Sequence, residues 1–136
     1  MATSGTDAIV AGTIVSGNNI RRYQKDGGGL NTTPVFARNY LNATLRAVAV
    51  DSSDNIYVGA EKVTDQDTLA KFSSDGTLIW SGDTEYSVFA IALDEINGFV
   101  YVERLGRVRK YNSSTGDHIT AGGWPYLIGT SIYALA

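Results

Sequence analysis

One run of residues occurs twice in this chain, and that repetition restricts the possible folds more than any composition figure. Leu45-Arg-Ala-Val-Ala-Val-Asp51 leads through Ser-Ser-Asp-Asn55 into Ile56-Tyr-Val-Gly59. Val88-Phe-Ala-Ile-Ala-Leu-Asp94 leads through Glu-Ile-Asn-Gly98 into Phe99-Val-Tyr-Val102. Ser131-Ile-Tyr-Ala-Leu-Ala136 opens the same pattern once more. A second pattern alternates with the first: Leu69-Ala-Lys-Phe-Ser-Ser-Asp-Gly76 corresponds to Val108-Arg-Lys-Tyr-Asn-Ser-Ser-Thr-Gly116 and to Ile20-Arg-Arg-Tyr-Gln-Lys-Asp-Gly27. Asp7-Ala-Ile-Val-Ala-Gly12 stands where Asn55 to Gly59 stand in the following unit. Asp51 and Asp94 stand 43 residues apart, and self-similarity at such a period is the mark of an architecture built from stacked supersecondary units.

Each unit reads as four short strands, a to d. Strand a covers 45–50, 88–93 and 131–136; strand b covers 8–11, 56–60 and 99–103; strand c covers 19–23, 69–73 and 107–111. Strand d is less regular, near 35–39, 78–81 and 118–121. No window repeats apolar residues at helical spacing, and Gly- and Ser-rich turn clusters interrupt the chain throughout, so the class is all-β. Asp75-Gly76 and Asn97-Gly98 are hairpin signals, because their glycines accept the positive φ of tight turns. Alternation places Ala47 and Ala49 on one face of strand a and Val48 and Val50 on the other. Both faces are apolar, which predicts cover on both sides, with a close approach on the alanine side.

Composition removes several functions. The 136 residues include no cysteine and one histidine, so disulfide and thiolate chemistry, and a histidine-based zinc site within one subunit, are excluded. A net charge of -3, from 11 basic and 14 acidic residues, argues against a nucleic-acid partner. No run approaches the length of an apolar membrane span, and the first residues lack a signal-peptide pattern, so the expectation is cytoplasmic synthesis with no membrane partner.

The chain resembles the short β-propeller repeats of the quinoprotein-like and NHL-like group. Asn112-Ser-Ser-Thr115-Gly116 falls on the Asp-x-x-Thr-Gly turn of quinoprotein-like blades. In that family a tryptophan four residues after the glycine docks against the next blade; Trp80 holds this place after Gly76, whereas Thr120 and Asn31 hold it after Gly116 and Gly27. The repeats are also similar to propeller segments of uncharacterised phage-encoded proteins, which implies a virion component. The expected architecture is a single partial β-propeller domain over 1–136, of four-stranded antiparallel blades. Strands b-c-d of a first blade occupy 8–44, a second blade 45–87, a third 88–130, and 131–136 supplies a strand a. Three blades do not close a ring. Residues Ser131, Ile132, Tyr133, Ala134, Leu135 and Ala136 are therefore expected to complete the first blade of another subunit. A dimer with six blades is favoured over a trimer with nine, and further blades on another polypeptide are the alternative.

The search for chemistry yields no catalytic, cofactor or metal residues. His118 reads as an exposed strand or turn residue. Gly27-Gly28-Gly29 lacks the Lys-Ser/Thr of a phosphate loop and reads as a turn. Asp51-Ser-Ser-Asp54-Asn55 offers clustered oxygens, read as turn capping ahead of calcium. Arg104, Arg107, Arg109 and Lys110 form one basic cluster, with Arg107 and Arg109 on one strand face, and Glu61, Asp67 and Asp117 available as partners. A solvated, salt-laced face is expected, with an anion or acidic-polymer site as the alternative. Trp124 and Tyr126 form an aromatic pair beside Gly122 and Gly123, suited either to packing on a blade or to a glycan or protein contact. The function expected is a non-enzymatic structural or adaptor protein. The alternatives are a lectin-like carbohydrate-binding propeller or a fragment of a propeller enzyme.

Overall fold

The structure is a computed structural model that describes residues 2–4, 7–15, 18–26, 29–30, 36–38, 40 and 44–127. Three antiparallel sheets follow one another along the chain. The first contains β1 (Ala2–Ser4), β2 (Asp7–Val15), β3 (Asn18–Asp26), β4 (Gly29–Leu30) and β5 (Phe36–Arg38). The second is the meander β6 (Leu45–Val50), β7 (Ile56–Ala60), β8 (Leu69–Phe72) and β9 (Leu78–Gly82). The third is β10 (Ala90–Asp94), β11 (Phe99–Arg104), β12 (Arg107–Asn112) and β13 (His118–Ile119), with β14 (Tyr126–Leu127) also paired to β12. There is no helix and no closed barrel among the described residues.

The repeat is therefore a repeat of sheets. Tyr57 faces Lys71 across β7 and β8, and Tyr101 faces Lys110 across β11 and β12. In the first sheet Ile9 faces Arg22 in the same register. Turn chemistry fixes the hairpins locally. The Asp51 carboxylate accepts the Ser53 and Asn55 amides at 3.0 and 2.9 Å, which caps the β6–β7 turn. Asp75 accepts the Thr77 amide at 2.9 Å between β8 and β9.

Period-2 alternation then assigns each side chain to one of two cores. Ile56, Val58, Ala70 and Phe72 join Ile20 and Tyr40, with Val48 and Val50 packed against them. Tyr57 and Leu69 join Val88, Ile91, Val100, Val102 and Tyr111, with Ala47, Ala49 and Trp80 packed against that group. The second sheet is thus covered on both faces, and the alanine face accepts the third sheet. All five residues of β7 are buried, each apolar one contributing roughly 1.5–3 kcal/mol of transfer free energy if large.

Several features differ from the sequence reading: β2 and β3 extend beyond 8–11 and 19–23, β13 ends at Ile119 and not at 121, and β1, β4 and β14 are additional strands. β10 begins at Ala90; before it, the Val88 amide turns to Ala60 O of the preceding sheet at 3.1 Å, while the Phe89 amide already donates to Glu103 O of β11. At the other end of the chain, β2 has a partner in cis on the edge expected to receive a strand from elsewhere. Ala2, Thr3 and Ser4 pair with Ile9, Ala8 and Asp7. This strand is too short and polar to register in a hydrophobic pattern, yet its backbone groups pair all the same. Residues 131–136, the expected exchange strand, lie outside the described residues.

Candidate functional site

The contact that holds the third sheet on the second is built from one residue on each of three strands. Tyr57, Lys71 and Trp80 project from β7, β8 and β9 onto the same face, since Lys71 is paired with both of the others. The Tyr57 and Trp80 rings meet edge to face, with centroids 6.1 Å apart, and the Lys71 ammonium lies 5.0 Å from the Tyr57 ring centre. Both polar groups then reach across to the turn between β12 and β13. Lys71 Nζ donates to Ser113 O at 3.0 Å, and Trp80 Nε1 donates to the same oxygen at 3.1 Å. Below this carbonyl the Trp80 ring covers Gly116, whose φ is +79°. Tyr57 Oη donates to the Asp51 carboxylate at 3.2 Å; burial, followed by the charge and hydrogen bond of Asp51, pushes the phenol pKa well above its usual range.

The first and second sheets meet through the same device. Arg22 occupies the position of Lys71, donates from Nη1 to Ser74 O at 2.6 Å, and pairs with Asp54 at 3.6 Å. Ser74 lies in the β8–β9 turn as Ser113 lies in the β12–β13 turn. A cation on the third strand of one sheet thus caps a turn carbonyl of the next, twice in succession.

The third sheet carries the corresponding residues on the corresponding face. Trp124 packs on Tyr101 with centroids 5.3 Å apart, as Trp80 meets Tyr57. The Lys110 ammonium lies 3.6 Å from the Phe99 ring centre, 5.7 Å from that of Trp124 and 6.0 Å from that of Tyr101. Among the described residues no further sheet follows, and Lys110 turns onto these rings as a cation–π group. Position 59 of the second sheet has Glu103 as its counterpart. Its side chain is fully buried, with Oε1 accepting the Gly106 amide at 2.8 Å.

The sequence-derived candidates are therefore redistributed. Trp124 partners Tyr101, whereas Tyr126 lies in β14 opposite Val108 and its side chain is outside the description. The basic cluster divides between two faces. Arg107 and Arg109 share a face as alternation predicts, and the pairing of Arg104 with Arg107 adds Arg104 to it; Lys110 points the opposite way. That face is not simply a solvated one. Arg104 and Arg109 are buried and share Glu85, while Glu61 pairs with Arg46 and Asp67 and Asp117 accept local hydroxyls. Tyr101, Phe99 and Glu85 were missed as site residues. The repeat as aligned from Asp51 and Asp94 sets Val100 opposite Tyr57, and the strand register shifts the correspondence to Tyr101; Glu85 sits in a connection between β9 and β10.

His118 is exposed, its ring centre 5.1 Å from that of Tyr111. Desolvation, then the charges of Arg109 and Arg104, hold its pKa below the ordinary value of 6.5. Its folded state favours the neutral ring, so this contribution to stability is complete above the unfolded pKa and is lost as pH falls below it. An NMR titration should give a midpoint under 6.5 that rises when Arg109 is replaced by Gln. A midpoint unmoved by Arg109→Gln would remove the arginine contribution.

No family model matches the chain, and no curated protein matches it. Among solved structures, it is similar to the extracellular domain of a putative one-component system from B. thetaiotaomicron, with a TM-score of 0.58 and 20% identity over 88% of this chain. The chain spans 16% of that domain's length. At this identity the likeness is one of fold.

Proposed function

We propose that this chain is a non-enzymatic structural subunit: an arc of propeller-type blades whose ring is completed by further blades, most simply those of a second copy. The observation that carries the reading is the recurrence of the Tyr57–Lys71–Trp80 arrangement as Tyr101–Lys110–Trp124. The first set holds the next sheet, and the second presents the same chemistry at the end of the described series. A lysine and a tryptophan set beside a tyrosine in this way suit a turn of this repeat type. The first repeat offers Gly27 at the position of Gly76 and Gly116 in sequence. Repeat architectures bury end faces of this kind against a neighbour or a cap. Glu103 in place of Gly59 means that the next sheet would be held by turn contacts without a valine inserted as Val88 is.

Native mass spectrometry tests the reading. The wild-type chain should give about 29 kDa, two copies of the 14.6 kDa chain. Lys110→Glu places a carboxylate against the expected carbonyl and should weaken association about tenfold or more. A stable monomer for the wild-type chain would defeat the reading. Glycan binding abolished by Trp124→Ala, with no change in mass, would assign the face to sugar recognition.

A further inference from the structure

The opposite face of the third sheet carries charge for which assembly has no use. Arg104 and Arg109 are 3% and 9% exposed, and both direct a guanidinium nitrogen to one oxygen, Glu85 Oε2, at 3.3 and 3.0 Å. Two buried cations side by side are costly unless their charges and donors are matched. Here the match is partial. Arg109 adds a long bond to Thr84 O at 3.4 Å, and the Tyr86 ring lies 4.6 Å from Arg104 Cζ. Both Nε atoms and the buried Tyr111 hydroxyl have no hydrogen-bond partner among the described residues. Glu103 gives no relief, since it faces the other side of the sheet and is bound to Gly106.

Glu85 itself is an unusual partner. Its side chain is 64% exposed, and its backbone has φ +71°, a conformation costing a non-glycine residue about 1–2 kcal/mol. It comes from the connection between β9 and β10 and not from a strand. Glu85, Tyr86, Arg104, Leu105, Arg107 and Arg109 line a cavity of about 310 Å³, with Arg107 exposed at its edge. Two guanidinium groups therefore hold one largely exposed carboxylate, and Arg107 lines the same cavity.

We propose that this cavity binds a small carboxylate-bearing ligand, such as a uronic acid, whose carboxylate replaces Glu85 between Arg104 and Arg109. A planar carboxylate can take one guanidinium end-on through two parallel hydrogen bonds and a second side-on, so two guanidinium groups converging on one oxygen suit it. The volume is at the lower end for small-molecule sites and accommodates a monosaccharide. Arg107 is placed to meet a second polar group of the ligand from the solvent side. Glu85 is the resident competitor: it offsets part of the arginines' charge in the free protein and leaves on binding.

Calorimetry on the full chain, with galacturonate, galactose, inorganic sulfate and inorganic phosphate as probes, tests the site. Galacturonate should bind with a Kd on the order of millimolar, and galactose should not bind. Arg107→Ala should weaken galacturonate about tenfold without changing the fold. Glu85→Gln should lower the thermal midpoint, because it strands two buried cations, and galacturonate should raise that midpoint more than it raises the wild type's. Galactose binding as well as galacturonate, sulfate or phosphate binding without galacturonate, or no saturation by galacturonate in either wild type or Glu85→Gln would overturn the proposal. Lys110→Glu should bind galacturonate like the wild type, which separates this site from the assembly face.

Discussion

Gly59→Val is expected to abolish folding or to cost about 3 kcal/mol or more in urea denaturation. Valine ordinarily favours a strand over glycine by up to about 1 kcal/mol, so sterics must decide the sign. A Cβ at Gly59 would overlap the Val88 side chain and lie 3.3 Å from Ala47 Cβ. Neither neighbour can withdraw. Val88 is fully buried, and its amide is tied to Ala60 O. Ala47 is paired with Gly59 across β6 and β7, and β8 holds Gly59 from the other side through Leu69. Overpacking in a strand fixed on both edges therefore outweighs the propensity gain. Combining Gly59→Ala with Val88→Ala should recover part of the stability that Gly59→Ala loses alone. A wild-type urea midpoint for Gly59→Val would show that the second and third sheets are not packed this closely.

The second large effect is expected at Gly116. Alanine there meets two penalties: φ of +79°, worth about 1–2 kcal/mol, and a Cβ only 2.7 Å from Trp80 Cε3. The ring cannot slide away without losing its bond from Nε1 to Ser113 O. The total should reach about 2–4 kcal/mol. A double-mutant cycle separates the parts. With Trp80→Ala in the background, Gly116→Ala should cost only the backbone share, so the coupling energy should exceed about 1 kcal/mol. Purely additive effects would mean that Trp80 does not rest on Gly116 in solution.

Much of this arrangement was legible in the sequence. The strands, their order and the two-faced burial of Ala47 and Val48 follow from period-2 alternation and from turn residues such as Asp51 and Gly76, all of them encoded by near neighbours. Trp80 was legible too, through the resemblance of its spacing from Gly76 to that of propeller blades. The basic cluster was not, although Arg104, Arg107, Arg109 and Lys110 lie within seven residues of one another. Alternation alone separates Lys110 from Arg107 and Arg109, but only the register of β11 on β12 brings Arg104 to the same face. Trp124 and Tyr126 read in the sequence as an aromatic pair suited to packing on a blade or to a glycan or protein contact; which ring Trp124 meets, Tyr101 on β11, only the fold shows.

By itself, then, the sequence determined the all-β class, the four-stranded unit and its repetition, because these depend on patterns a few residues long. Tertiary structure alone decided which cation meets which acceptor: Lys71 with Ser113, Arg22 with Ser74, Arg104 and Arg109 with Glu85. Such pairings depend on the rotation and separation of whole sheets. Those are set by the summed packing of two hydrophobic cores, and no local run of residues records that sum.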